Sequence, residues 1–369
     1  MTMVADYDLA IVGASFAGLT AARSAALRGL KVLVIEAKKD PGARIHTTGI
    51  VVREAAETVD IPHSVTRRVH GIRLYAPSLK HMDLFAPGYA FLTTDTAALM
   101  RWLAGEATRA GVKILCDTRF TAARCESGLV HLDTPAVTAR YLLGCDGARS
   151  QVAEAFGLGK NTRFLIGVEA EYSGLDSFDP RFLHCFLDSD IAPGYIAWAA
   201  PGPKVTQIGL ATKDDAKPAL QRFIDRTEDR FHYSAADIVE RRSGAIPCGG
   251  LVRPYATNGV MLMGDAAGLV SPLTAGGIKL SFEFGRRAAH AIADHLLNAG
   301  PPPEKVIDSD LPRFRVKSAL RSVLSYGPPN RIYEMLIGTP PLRALAQRLY
   351  FHRKGGGGSF ETFAERLTD

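Results

Sequence analysis

The feature that most limits how this chain can fold is a glycine-bounded turn near its start, Gly13-Ala14-Ser15-Phe16-Ala17-Gly18. It lies between an apolar strand pattern over residues 7–13 and an Ala- and Leu-rich helix pattern from Phe16 to Arg28. Gly29 ends that helix, and Lys31 to Ile35 reads as a second buried strand ending at Glu36. Strand, turn, helix and strand within about 30 residues make a βαβ unit. Gly13 permits the tight turn, the small Ser15 lets the backbone approach a pyrophosphate, and Gly18 lets the helix pack closely on the sheet. The N–H groups of Phe16 and Ala17 and the positive end of the helix dipole face the phosphates. Glu36, with Ala37 beside it, stands where a carboxylate accepts hydrogen bonds from ribose hydroxyls. Arg44 is placed to reach the pyrophosphate. Such a unit serves NAD and FAD alike.

Two later stretches separate them. Gly144-Cys145-Asp146-Gly147-Ala148-Arg149-Ser150 follows one strand pattern. Gly264-Asp265-Ala266-Ala267-Gly268 follows another and runs on through Ser271-Pro272 to Gly276-Gly277-Ile278. In this order the three motifs resemble the flavoprotein family that includes para-hydroxybenzoate hydroxylase. Within it they are most similar to the geranylgeranyl reductases, over roughly residues 6 to 295. Ring hydroxylases usually carry His where this chain has Gly268. The resemblance implies an α/β fold: a Rossmann-type FAD-binding domain, an inserted antiparallel β-sheet substrate domain and a helical C-terminal region. The expected boundaries are 1–70, 93–160 and 255–298 for FAD, 71–92 and 161–254 for substrate, and 299–369 for the helical region. It further implies that FAD is held by Gly13, Ser15, Phe16, Ala17, Gly18, Glu36, Ala37, Arg44, Thr48, Gly49, Asp265, Gly276, Gly277 and Ile278. Asp265 would bond the ribityl chain and Gly276 to Ile278 would form a helix N-terminus under the isoalloxazine. Asp146 would help hold the cofactor domain together, or simply cap a turn.

On the substrate side, Gly194-Tyr195-Ile196-Ala197-Trp198-Ala199-Ala200-Pro201 resembles the reductases' aromatic pocket motif in part. Tyr195, Trp198 and Pro201 are the candidate substrate-binding residues, although Tyr195 and Trp198 also suit the core of a sheet. The implied activity is reduction of alkene bonds in a prenyl or other apolar substrate by reduced flavin. The alternative is a monooxygenase or halogenase acting on an aromatic or polyketide-like molecule. Tyr195 and His46 are the candidate proton donors, and a lone His is more often structural. No second dinucleotide motif follows, so the electron source is either NAD(P)H or a carrier protein.

Along the rest of the chain, residues 72–92 carry hairpin signals and residues 95–110 a helical stripe. Strand-like runs follow at 112–116, 129–133, 138–144 and across 164–210. Residues 217–240 carry a helical pattern interrupted by the polar run from Arg226 to Asp229. Beyond Pro301-Pro302-Pro303 the pattern is helical, with a flexible stretch from Gly355 to Ser359. Five scattered cysteines with no CxxC pair give no reason to expect zinc, an iron–sulfur site or a disulfide framework. No run of about 18 apolar residues and no signal-peptide pattern is present, which points to the cytoplasm or the cytoplasmic face of a membrane. Nine Lys or Arg and one acid lie between residues 313 and 354, in a chain whose net charge is +6. That segment fits peripheral contact with anionic lipid and equally a solvated helical face. No nucleic-acid motif is found.

Overall fold

The computed structural model describes residues 4–213 and 215–351, so the expected flexible stretch Gly355 to Ser359 lies outside the described residues. The described residues form two compact units: residues 4–45, 96–164 and 246–318, and residues 46–95, 165–213, 215–245 and 319–351.

The first unit is built on parallel strands. Tyr7–Val12 pairs with Val137–Gly144 on one side and Val32–Ile35 on the other. Val32–Ile35 continues to Lys113–Leu115, and Val137–Gly144 continues to Val260–Leu262. Strands buried on both faces need continuous apolar runs, and Leu9, Ala10, Ile11, Leu33, Val34, Leu142 and Leu143 are fully buried. Two strands, Leu129–Leu132 and Ala123–Glu126, extend the sheet antiparallel. Helix Phe16–Leu27 packs against the long helix Ile278–Asn298. Their approach is close because Gly285 has no side chain: a Cβ there would lie 2.6 Å from the Ala17 carbonyl oxygen. Phe16 meets Phe282 edge-on at 5.5 Å between ring centroids.

The second unit holds a seven-stranded sheet. Its order is Asp237–Pro247, Phe164–Ser173, Thr206–Lys213, Ala197–Pro201, Phe182–Phe186, Gly71–Tyr75 and His81–Phe85. Alternation gives it two unlike faces. Ala197, Ala199, Ile208, Leu210 and Ala170 pack beneath Phe223, Ile224 and Phe231 of helix Leu220–Phe231. Trp198, Ala200, Leu183 and Cys185 point the other way. A small three-stranded sheet joins Ile50–Val51, Phe91–Thr94 and Thr66–Val69.

Two expectations are corrected. The polar run from Arg226 to Asp229 does not interrupt its helix. Arg226 and Asp229 are exposed on an unbroken Leu220–Phe231 helix, while Thr227 turns inward and is buried with Phe223, Ile224 and Phe231. The helix also stops earlier than the pattern implied, because His232 turns left-handed and Asp237 opens an edge strand. Among the described residues the C-terminal region is helical as expected, in four pieces, the last being Pro340–Phe351.

Candidate functional site

In the first unit the glycine turn is closed from both sides. Gly13 has φ +101°, and a Cβ there would stand 2.4 Å from the Cys145 carbonyl oxygen. A Cβ on Gly18 would stand 2.0 Å from the Gly13 carbonyl oxygen. Ser15, where the motif commonly has a second glycine, has an ordinary extended backbone and accepts a hydrogen bond from the Gly18 N–H at 3.2 Å, capping the helix. The N–H groups of Phe16 and Ala17, the next in that first turn, have no acceptor among the described residues. Glu36 is buried and accepts from the Ala14 N–H at 2.8 Å and, across Ala37, from the Lys38 N–H at 2.8 Å. Each carboxylate oxygen keeps a second lone pair for a hydroxyl donor. Arg44 is exposed in the loop that follows.

Asp146 is a capping residue: its carboxylate accepts from the Ser150 hydroxyl and from the N–H groups of Gln151 and Val152. Asn161, which sequence reasoning missed, ties this loop to the next motif by donating to the carbonyls of Ala148 and Asp265. Gly268 is held left-handed at φ +69°, and a Cβ would meet the Gly250 carbonyl oxygen at 2.2 Å. A histidine at that position would require the loop to move.

Asp265 is the unusual member of this motif. Its carboxylate has no hydrogen-bond partner among the described residues, and burial pushes it up to about 6. It lies 3.4 Å from where a Gly277 Cβ would be, at the start of the 21-residue helix Ile278–Asn298, whose first turn carries no acid. An unpartnered carboxyl beside the N–H groups of Gly277 and Ile278, which have no acceptor among the described residues, calls for a ligand that brings hydroxyl donors and negative charge together. Gly276, exposed, completes the approach. FAD offers ribityl hydroxyls and a ring that becomes anionic on reduction, so these residues fit it.

The second unit holds the remaining candidates. Thr48 donates to Glu169 Oε2 at 2.6 Å, and the Trp198 indole N–H donates to the same oxygen at 2.9 Å. Strand register explains the meeting: Glu169 is opposite Gly209, which is opposite Trp198. The indole lies across Gly209, so that a Cβ there would be 2.5 Å from it. Gly49 follows at φ +74°, its carbonyl accepting from Thr94. Pro201 ends the Trp198 strand and its carbonyl accepts from Thr93 at 2.7 Å. Away from this group, Tyr195 lies under the guanidinium of buried Arg321, 5.6 Å from the ring centroid. His46 is exposed, with Nδ1 2.9 Å from the Ser243 carbonyl. A carbonyl only accepts, so Nδ1 carries the proton and is already engaged.

Glu169 and its neighbour Arg242 were not legible as site residues. A Glu-x-Glu alternation on a strand reads as a solvent face, and only the fold shows that this face is covered. Burial raises the Glu169 carboxyl and lowers Arg242.

With this geometry in view, residues 6–303 match the model of the FAD binding domain. Digeranylgeranylglycerophospholipid reductase 1 of Methanothermobacter thermautotrophicus is 30% identical over 314 residues, covering 79% of this chain and 78% of the relative. A geranylgeranyl bacteriochlorophyll reductase-like protein from Thermoplasma acidophilum has the same fold, with a TM-score of 0.82 at 22% identity over 94% of this chain and 97% of that one. The flavin-dependent brominase Bmp2 has a TM-score of 0.70 at 19% identity over 98% of each chain, a likeness of fold. The chain belongs to the geranylgeranyl reductase family of FAD-dependent oxidoreductases.

Proposed function

We propose that this protein reduces alkene bonds of a prenyl or other apolar substrate, with the first unit carrying FAD and the second the substrate. The observation that carries the cofactor half is the unpartnered Asp265 carboxyl beside the bare N-terminus of the Ile278 helix. Support for the substrate class comes from the curated relatives, which are digeranylgeranylglycerophospholipid reductases. Bound and reduced, FAD supplies a hydride to one alkene carbon.

The chain's own residues hold and shape. The N–H groups of Phe16 and Ala17, in the turn that Gly13 and Gly18 allow, bind pyrophosphate. Glu36 takes ribose hydroxyls. Asp265 accepts from the ribityl chain, and the N–H groups of Gly277 and Ile278 stabilise negative charge on the ring. Tyr195, Trp198 and Pro201 of the second unit are the residues assigned to the apolar substrate. NAD(P)H or a carrier protein is the reductant.

The test is anaerobic incubation of reduced holoenzyme with geranylgeranyl lipids. Flavin reoxidation with a mass gain of two hydrogens per alkene is expected, and neither occurring sinks the proposal. The brominase likeness keeps a second reading in view, oxygen-dependent hydroxylation or halogenation. Rapid oxygen consumption with a hydroxylated or halogenated product would establish it instead.

A further inference from the structure

The turn that carries Asp265 has little of its own to hold it. Gly264–Ala267 is one turn of 3-10 helix, and Met263 before it offers no side-chain cap. Asp265 is half-buried, and its carboxyl has no partner among the described residues, so no bond to the side chain itself fixes its direction. The support comes from behind. Asn161 lies in the loop between helix Gln151–Ala155 and strand Phe164–Ser173. Its Nδ2 donates one hydrogen to the Asp265 carbonyl at 2.8 Å and the other to the Ala148 carbonyl at 3.1 Å. The Gly268 N–H donates to the same Asp265 carbonyl at 3.0 Å, so both lone pairs of that oxygen are used.

The Asn161 loop is itself fixed to this region, and every part of the arrangement belongs to the first unit. The Gly159 N–H donates to the Pro254 carbonyl at 2.7 Å, and the Cys248 N–H to the Arg163 carbonyl at 2.9 Å. A Cβ on Gly159 would stand 2.6 Å from the Arg253 carbonyl oxygen, so the two segments run close together. The Val252 N–H then donates to the Ala267 carbonyl at 3.0 Å. Asn161 Oδ1 is fully buried without a partner among the described residues, 2.9 Å from where a Gly268 Cβ would be. An unpaired buried acceptor is destabilising. An amide kept there in spite of that cost is explained by its two donors.

We propose that Asn161 is a positioning residue for the cofactor: it holds the Asp265 turn in the arrangement that aims the carboxyl at the FAD ribityl chain. This rests on the cofactor half of the reading above. Asn161 bonds two backbone carbonyls, so it acts on FAD through Asp265. Without it the Asp265 carbonyl keeps Gly268 and loses its side-chain donor. The turn then samples arrangements in which the carboxyl points elsewhere, and the apparent dissociation constant rises by the inverse of the competent fraction. Loss of one hydrogen bond to a buried acceptor makes that change about tenfold. The adenosine half of the site is built separately. Glu36 is set by the N–H groups of Ala14 and Lys38, and neither bonds Asn161.

The test is calorimetric titration of the full-length apoprotein with FAD and with ADP, which has no ribityl chain. N161A is expected to bind FAD about tenfold more weakly than wild type and to bind ADP equally well. In a D265A background the same substitution is expected to cost less than about threefold, because the side chain it aims is gone. N161D keeps the shape of the residue and, ionised, has no hydrogen to donate. It is expected to behave as N161A does, and it answers for an N161A chain that does not fold. Wild-type FAD affinity in N161A or N161D overturns the proposal. So does an equal loss in the D265A background, or an equal loss for ADP, since either means that Asn161 supports the unit as a whole. A wild-type chain that takes up no FAD sinks the cofactor reading itself, whereas tight wild-type binding with an unchanged N161A sinks the positioning role alone.

Discussion

Single side chains, or their absence, set the geometry of both candidate regions. Gly209 lets the indole of Trp198 cross to Glu169, so G209A would drive a methyl group into the ring at 2.5 Å. Overpacking of this kind costs about 1–3 kcal/mol. We expect a lower denaturant midpoint and loss of the Trp198–Glu169 bond, read from Trp198 emission in a W102F background. An unchanged midpoint would contradict the packing described. Asp265 makes the opposite trade. Its carboxyl is raised from 3.8 to about 6, so the folded state binds the proton more tightly than the unfolded chain. The stability of FAD-free protein therefore declines as pH rises from about 4 to about 6 and stays lower above, by roughly 3 kcal/mol. D265N should remove that decline, making the apoprotein more stable at neutral pH while FAD binds at least about tenfold more weakly. Thermal unfolding across pH and FAD titration check the two halves.

At the scale of elements, helix Leu220–Phe231 covers one face of the second sheet, and beneath it lies His184. Its Nε2 faces the Asp179 carbonyl at 3.0 Å and must carry the hydrogen, so Nδ1 accepts from the Tyr75 hydroxyl at 2.9 Å. Burial holds this neutral ring down to about 4. The unfolded chain binds the proton first as pH falls from 6.5 toward 4, so the contribution is complete above that window and lost through it, by roughly 3 kcal/mol. Chemical unfolding followed at Trp198 should show this slope, flattened in H184Q, and equal slopes would refute it. The core strands and the first and last long helices were legible because their signals are local: apolar runs and glycine turns. The Leu220–Phe231 helix was misread because four polar residues in a row look like a break when their burial partners are unseen. Short strands such as Ile50–Val51 and Thr66–Val69 owe their existence to pairing with Phe91–Thr94, and nothing in their own composition shows it. In the first unit Asp265 and Glu36 were readable from motifs. Glu169 was not, because its meaning depends on Gly209 lying opposite it and Trp198 lying opposite Gly209.

For the whole molecule the open matter is what the C-terminal helices meet. The basic count over residues 313–354 overstates the charge they present, since Arg321 is buried and Arg343 bonds the Asp83 carbonyl. Arg353 and Lys354 lie outside the described residues. What the helices do present is apolar: Tyr326 is 90% exposed, Met335 75%, Val323 67% and Leu345 58%, with Arg331 and Arg348 exposed among them. No helix among the described residues is long and apolar enough to cross a membrane. Exposed apolar side chains interleaved with a few cations suit insertion at the headgroup level rather than attraction by charge alone. Each cation near an anionic surface adds about 1 kcal/mol. Holoenzyme should therefore sediment with anionic vesicles and keep part of that binding when salt is raised, because the apolar share is not screened. Replacing Val323 and Met335 with Glu should lower the bound fraction about tenfold or more without changing flavin content, whereas R331Q should weaken binding only at low salt. Equal sedimentation of wild type and the double variant would mean that these helices are an ordinary solvated surface.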